Sequence, residues 1–225
     1  KSNAVRDREL KAKYFPQGST NDAVDVLKKI AQSDHVLNKL ANHLIKYSEE
    51  NNVQIELVPV QSFERSESLK LNSDKGIAYY NPKENKIYIA EFGLSLSGQS
   101  EYSLVHEILH SISYNQLKGN ETAQDFYKLF EYAKTKLEKS HAIADEYEFL
   151  VALFTNAKFI KDLQNIPSLS GVKEYNNLFE EIFDYLLKVL GITKDSNLYE
   201  QAFAIATNIL ENERLQNESL NQVPE

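Results

Sequence analysis

His106-Glu107-Ile108-Leu109-His110 is the stretch on which the reading of this chain turns. It lies in a segment, 101–114, whose apolar spacing predicts a helix. Residues four apart on a helix stand one turn apart on the same face, so His106 and His110 can present two imidazoles to one ion. Zn²⁺ accepts imidazole nitrogen and, in catalytic sites, keeps one position open for water. Glu107 falls beside that position, where it can take the water's proton; this is the arrangement of a zinc metallopeptidase. Leu104, Val105, Ile108, Leu109 and Ile112 are expected to form the core face of the helix, with Tyr102, His106 and His110 turned to a cleft.

Zinc needs a third protein ligand. The chain has no cysteine, so the set must be drawn from histidine and carboxylate. Ser113 and Gln116 occupy the positions where one large class of these enzymes carries Gly and a third His, which excludes that class. His35 and His43 fall in N-terminal helices and read as ordinary boundary histidines. The better candidate is Glu148, in the run Asp145-Glu146-Tyr147-Glu148-Phe149-Leu150, 38 residues after His110. It heads an apolar stripe, and an inward-facing carboxylate needs a cation. Glu146 comes next as a candidate, with Asp125 and Asp145 behind. The plain alternative for Glu148 is a solvated acid favoured by the positive end of its helix.

Composition narrows the class. With 225 residues, 42% apolar and 11% aromatic, the chain has enough apolar material for a substantial core. A net charge of −8 without a dense basic run argues against nucleic acid as a partner. No apolar stretch approaches the about 18 residues of a membrane span. There is no methionine, so the sequence is expected to be a processed or excised piece, from which any export signal is already removed. Lys1-Ser2-Asn3-Ala4 is set aside from the fold reading as a tag remnant.

Outward from the motif, the period of the apolar residues changes twice. Residues 1–20 read as a loose arm. Helices are expected from Asn21-Asp22, with Val26, Leu27 and Ile30 on one face, and from Ser33-Asp34, with Leu37, Leu40 and Leu44 on one face. Val53, Ile55 and Leu57 then alternate with polar residues, which predicts a strand. Ile77–Tyr80 and Ile87–Ala90 predict two more, joined across the turn-forming run Asn81 to Lys86 as a hairpin or as neighbours. From Glu121 on, the stripes at Phe126–Leu137, Phe149–Phe154, Leu178–Leu190 and Tyr199–Leu210 predict helices, the third stopped by Gly191. The expected organisation is an arm (1–20), one domain (21–212, divided into 21–116 and 117–212) and a polar tail (213–225).

His106-Glu107-x-x-His110 followed by Tyr147-Glu148-Phe149-Leu150 through Phe154 resembles the glutamate zincins related to anthrax lethal factor and the bacterial Pro-Pro endopeptidases. The run from Glu148-Phe149 to Phe159-Ile160-Lys161-Asp162-Leu163 is also similar to zincin modules of bacterial effectors and mobile-element polyproteins. The resemblance covers residues 53–165 or so. It implies an α+β zincin-like fold: a small twisted sheet, the active-site helix beneath it, and a mainly helical C-terminal half. It implies His106, His110 and Glu148 as zinc ligands and Glu107 as general base, with strand Lys86–Ala90 at the cleft edge pairing with an extended substrate. Two positions depart from the pattern. The family carries tyrosine seven residues before the third ligand, where it stabilises the oxyanion; His141 stands there and can donate the same hydrogen bond. A second acid four residues after the ligand is replaced by Ala152.

The expectation is therefore a monomeric zinc-dependent endopeptidase acting on a protein or peptide substrate, of a secreted or injected bacterial kind. The alternative from another class is a zinc-binding interaction module without turnover. A non-peptidase zinc hydrolase is a third reading.

Overall fold

Val53, Ile55 and Leu57 are buried while Gln54, Glu56 and Val58 between and after them are half-buried, the two-residue period of a strand with one face on a core. Ile87 and Ile89 repeat the pattern. The two strands pair in parallel with Ile55 opposite Ile87 and Leu57 opposite Ile89. These four residues form the apolar spine of a mixed four-stranded sheet. The computed structural model that carries this sheet describes residues 3–59, 78–90, 100–118 and 123–207. Its elements are α1 (Asn3–Tyr14), β1 (Thr20–Asp22), α2 (Ala23–Ala31), α3 (Asn38–Asn51), β2 (Gln54–Val58), β3 (Ala78–Asn81), β4 (Lys86–Ala90), α4 (Ser100–Leu117), α5 (Ala123–Lys136), a 3-10 turn (His141–Ile143), α6 (Glu146–Thr155), α7 (Ala157–Gln164), α8 (Leu178–Val189) and α9 (Tyr199–Thr207). The class is α+β. The chain divides into two compact units, residues 1–115 and 116–225.

In the first unit the strand order is β1-β2-β4-β3, with β1–β2 and β3–β4 antiparallel. The hairpin expected across Asn81–Lys86 forms as β3–β4, and its turn is closed by Asn85 at φ +52°, a left-handed value that asparagine tolerates. One expectation is corrected here. Strand Lys86–Ala90 is not an edge. It pairs with β2 on one side and β3 on the other, and among the described residues β3 ends the sheet. The reason is burial: β4 carries the apolar pair that matches β2, so it takes the interior place.

The N-terminal residues also differ from expectation. Residues 3–14 are not a loose arm but helix α1, and Tyr14 and Phe15 behind it are buried. Asp22 caps α2, its carboxylate accepting the Val24 N–H at 2.9 Å, as the sequence predicts. The second expected cap fails. Helix α3 begins at Asn38 without a side-chain cap, because Ser33 and His35 accept backbone N–H groups inside the preceding turn. Leu37, Leu40 and Leu44 are nonetheless buried together, and α3 ends at Asn52 with φ +50°.

The second unit is helical, as expected. Phe149 is fully buried and meets Phe126, Phe130 and Phe159 in steep edge contacts with centroids 5.1–5.7 Å apart. Phe183 similarly joins Phe154, Phe179 and Phe203. Each buried ring contributes about 1.5–3 kcal/mol by leaving water, which makes these two clusters the main source of the unit's stability. Helix α8 stops at Gly191, where φ +68° lets the Ile192 N–H reach back to Leu187 O and the Gly191 N–H to Lys188 O, both at 2.9 Å. Gly93, Gly98 and the tail 213–225 lie outside the described residues.

Candidate metal centre

Helix α4 carries the motif. Its core face is as expected: Leu104, Val105, Ile108, Leu109 and Ile112 are buried. The opposite face is buried too. His106, Glu107 and His110 are 9%, 6% and 1% exposed, and Ser111 and Ser113 are buried beside them. The expectation of a helix half open to a cleft therefore changes to one enclosed all round along this stretch. The helix is held at its start by Glu101, which accepts the Tyr14 hydroxyl at 2.7 Å, and by the ring of His35 packed against Tyr102.

Burial sets the chemistry of the histidine. It pushes the His110 pKa below the ordinary value, against the opposing pull of Glu107; His106 nearby adds to the lowering. A neutral imidazole keeps a lone pair for a metal. The Glu107 carboxylate stands 3.9 Å from His110 Nδ1, an electrostatic contact too long for a hydrogen bond. Its Oε2 is buried and meets no hydrogen-bond donor among the described residues.

The other buried acids are each held through at least one oxygen, although Asp184 Oδ1, like Glu107 Oε2, is buried without a hydrogen-bond donor among the described residues. Glu181 accepts the N–H groups of Leu169 and Ser170 at 2.6 and 3.1 Å. Asp184 binds the Tyr175 hydroxyl and pairs with Lys188 at 2.7 Å. Both acids fall within the apolar stripe of α8, and the sequence reading passed over them. Glu107 Oε2 has neither N–H donors like those of Glu181 nor a lysine like that of Asp184 among the described residues, and an unsatisfied buried charge costs several kcal/mol. A divalent ion between the histidines would offset that cost. A donor set of imidazoles and carboxylate suits zinc.

Comparison with known protein-family models, curated proteins and solved structures returned no match. The reading of this site therefore stands on its residues.

Glu148 and His141 belong to the second unit, whereas His106, Glu107 and His110 belong to the first. Among the described residues no three His, Asp or Glu side chains gather as a metal-holding group. Glu148 lies in the first turn of α6, its N–H held at 2.8 Å by the Asp145 carboxylate that caps the helix. Its side chain is partly exposed and stands 3.5 Å from His141 Nε2. The two residues singled out from the motif's downstream half thus meet each other. The lesser candidates are otherwise engaged or exposed: Asp145 caps α6, Asp125 pairs with Lys128 at 2.8 Å, and Glu146 faces water.

Three residues around the motif were not visible from the sequence. Tyr80 of β3 is 3% exposed, and its ring meets that of His110 with centroids 5.7 Å apart and planes at 71°. Its hydroxyl donates to Asn85 Oδ1 at 3.0 Å and accepts from Asn115 Nδ2 at 3.1 Å. Burial raises the Tyr80 pKa to about 12, which keeps the phenol a donor at neutral pH. The only hint in the sequence was the strand alternation that puts Tyr80 two residues from Ala78. Nothing local marked Asn85 or Asn115.

Proposed function

We propose that this chain is a zinc-dependent endopeptidase of zincin-like type. The observation that carries the reading is the buried Glu107 carboxylate, without a cation of its own among the described residues, between two histidines one helical turn apart. His106 and His110 of α4 would hold the ion, with Glu148 as third ligand on the resemblance alone. Zinc, when bound, supplies a Lewis acid that raises the acidity of water and polarises a carbonyl. Glu107 takes the proton of the attacking water and passes it to the leaving amine. His141 donates a hydrogen bond to the oxyanion as the carbonyl carbon becomes tetrahedral. An extended peptide substrate is aligned by strand addition, with β3 in the role expected of β4, since β3 ends the sheet among the described residues.

The contact between His141 and Glu148 favours a second reading. A histidine engaged with a ligand carboxylate is withheld from an oxyanion, which suits a zinc-holding interaction module without turnover. One comparison separates the two. Wild type and Glu107→Gln are loaded with zinc and given a peptide library. Equal zinc content, with cleavage by the wild type alone, supports the peptidase. An intact library with both proteins supports the module.

A further inference from the structure

Tyr80, Asn85 and Asn115 form a closed hydrogen-bonded triangle around one phenol. Asn85 Nδ2 donates to the carbonyls of Asn51 and Asn52, at 2.7 and 3.4 Å. Since carbonyls accept only, the amide nitrogen must face them, and the Asn85 oxygen must face the other way. That oxygen receives both the Tyr80 hydroxyl and Asn115 Nδ2, the latter at 3.2 Å. Asn115 closes the triangle onto the Tyr80 oxygen. Each partner is anchored separately: Asn85 in the left-handed turn of the hairpin, Asn115 on the motif helix itself. Tyr114 adds a ring contact on Tyr80 at 6.0 Å.

We propose that Tyr80 is a positioning residue that fixes the rotation of the His110 imidazole. A ring held at both its face and its hydroxyl has no freedom to swing. The His110 ring lies across it at 71°, so turning the imidazole about its own bond drives it into Tyr80. Phenylalanine would fill the same volume; the hydroxyl and two asparagines add a fixed rotation to that packing. The inference deepens the metal reading of this site, and its ring-positioning part is testable without metal.

The experiment uses the full chain with histidine ring nitrogens and carbons isotopically labelled. Metal-free protein is observed first by NMR. Wild type is expected to show one sharp set of His110 ring resonances, and Tyr80→Leu a shifted and exchange-broadened set. Zinc affinity is then measured by chelator competition, with the visible spectrum of the Co²⁺-loaded protein as the geometric readout. Tyr80→Leu is expected to weaken zinc by about tenfold or more and to alter the Co²⁺ bands, as loss of an orienting partner does. Tyr80→Phe and Asn115→Ala, which keep the ring, are expected to weaken zinc by about two- to threefold; they carry the test if the leucine variant does not fold. His110 resonances and Co²⁺ bands unchanged in every folded variant overturn the proposal. A wild type that takes up neither metal sinks the zinc reading, while the metal-free spectra still decide the positioning role.

Discussion

The Tyr14 hydroxyl donates a 2.7 Å hydrogen bond to the Glu101 carboxylate, tying the end of α1 to the first turn of the motif helix. Tyr14 is fully buried, and Lys13 beside it reaches the same carboxylate at 3.5 Å. The N-terminal helix is thus part of what holds α4. Tyr14→Phe removes the donor and leaves the packing. Its expected cost is about 1–3 kcal/mol, the range for a hydrogen bond to a charged, part-buried group. Urea unfolding with an unchanged slope and a lowered midpoint is the check; an unmoved midpoint contradicts the anchoring role.

Acid should destabilise the metal-free protein through His110. Its folded pKa lies below the ordinary 6.5 because burial disfavours the charged ring. Below that pH the unfolded chain binds a proton that the folded chain resists, so unfolding gains and stability falls with pH. Thermal unfolding from pH 7.5 to pH 5 should show the fall, and His110→Phe should flatten it. The same protonation should expel zinc from the wild type over this range.

Alkali acts with the opposite sign through Tyr80. Its folded pKa is near 12 against the ordinary 10.0, chiefly from burial. The stability this contributes is complete below pH 10 and is lost as pH rises towards 12. Ultraviolet titration should show tyrosinate appearing late, and Tyr80→Phe should remove one late-titrating group.

On the proposed ligand set, Glu148→Ala should reduce zinc affinity by at least about tenfold. Glu146→Ala, which faces water in the same first turn, should leave affinity unchanged. Equal affinities in both variants would transfer the third ligand to another residue. His141→Ala provides the companion measurement: retained zinc with slowed cleavage fits an oxyanion donor, and retained zinc with unchanged cleavage does not.

Glu181→Ala removes the acceptor of two part-buried backbone N–H groups, those of Leu169 and Ser170. The expected loss is about 1–3 kcal/mol, at roughly 0.5–1.5 for each hydrogen bond, since water can reach the freed donors. Denaturation midpoints should show it, while zinc affinity, set by residues elsewhere in the chain, stays constant.

The sequence by itself determined the α+β class, the strand at Val53–Leu57, the β3–β4 hairpin, the helical second half and the one-turn spacing of His106 and His110. These follow from residue periodicity and turn chemistry, which act over a few neighbours. It could not decide which strand lies inside the sheet, because pairing depends on matching Ile55 and Leu57 with Ile87 and Ile89, each 32 positions further along the chain. Nor could it show that α1 is anchored, since Tyr14 is an ordinary tyrosine until Glu101 is brought to it. The enclosure of Glu107 and the Tyr80–Asn85–Asn115 triangle are likewise products of tertiary structure. Burial and long-range hydrogen bonding depend on what the rest of the chain brings near, and neither leaves a periodic trace in the residues themselves.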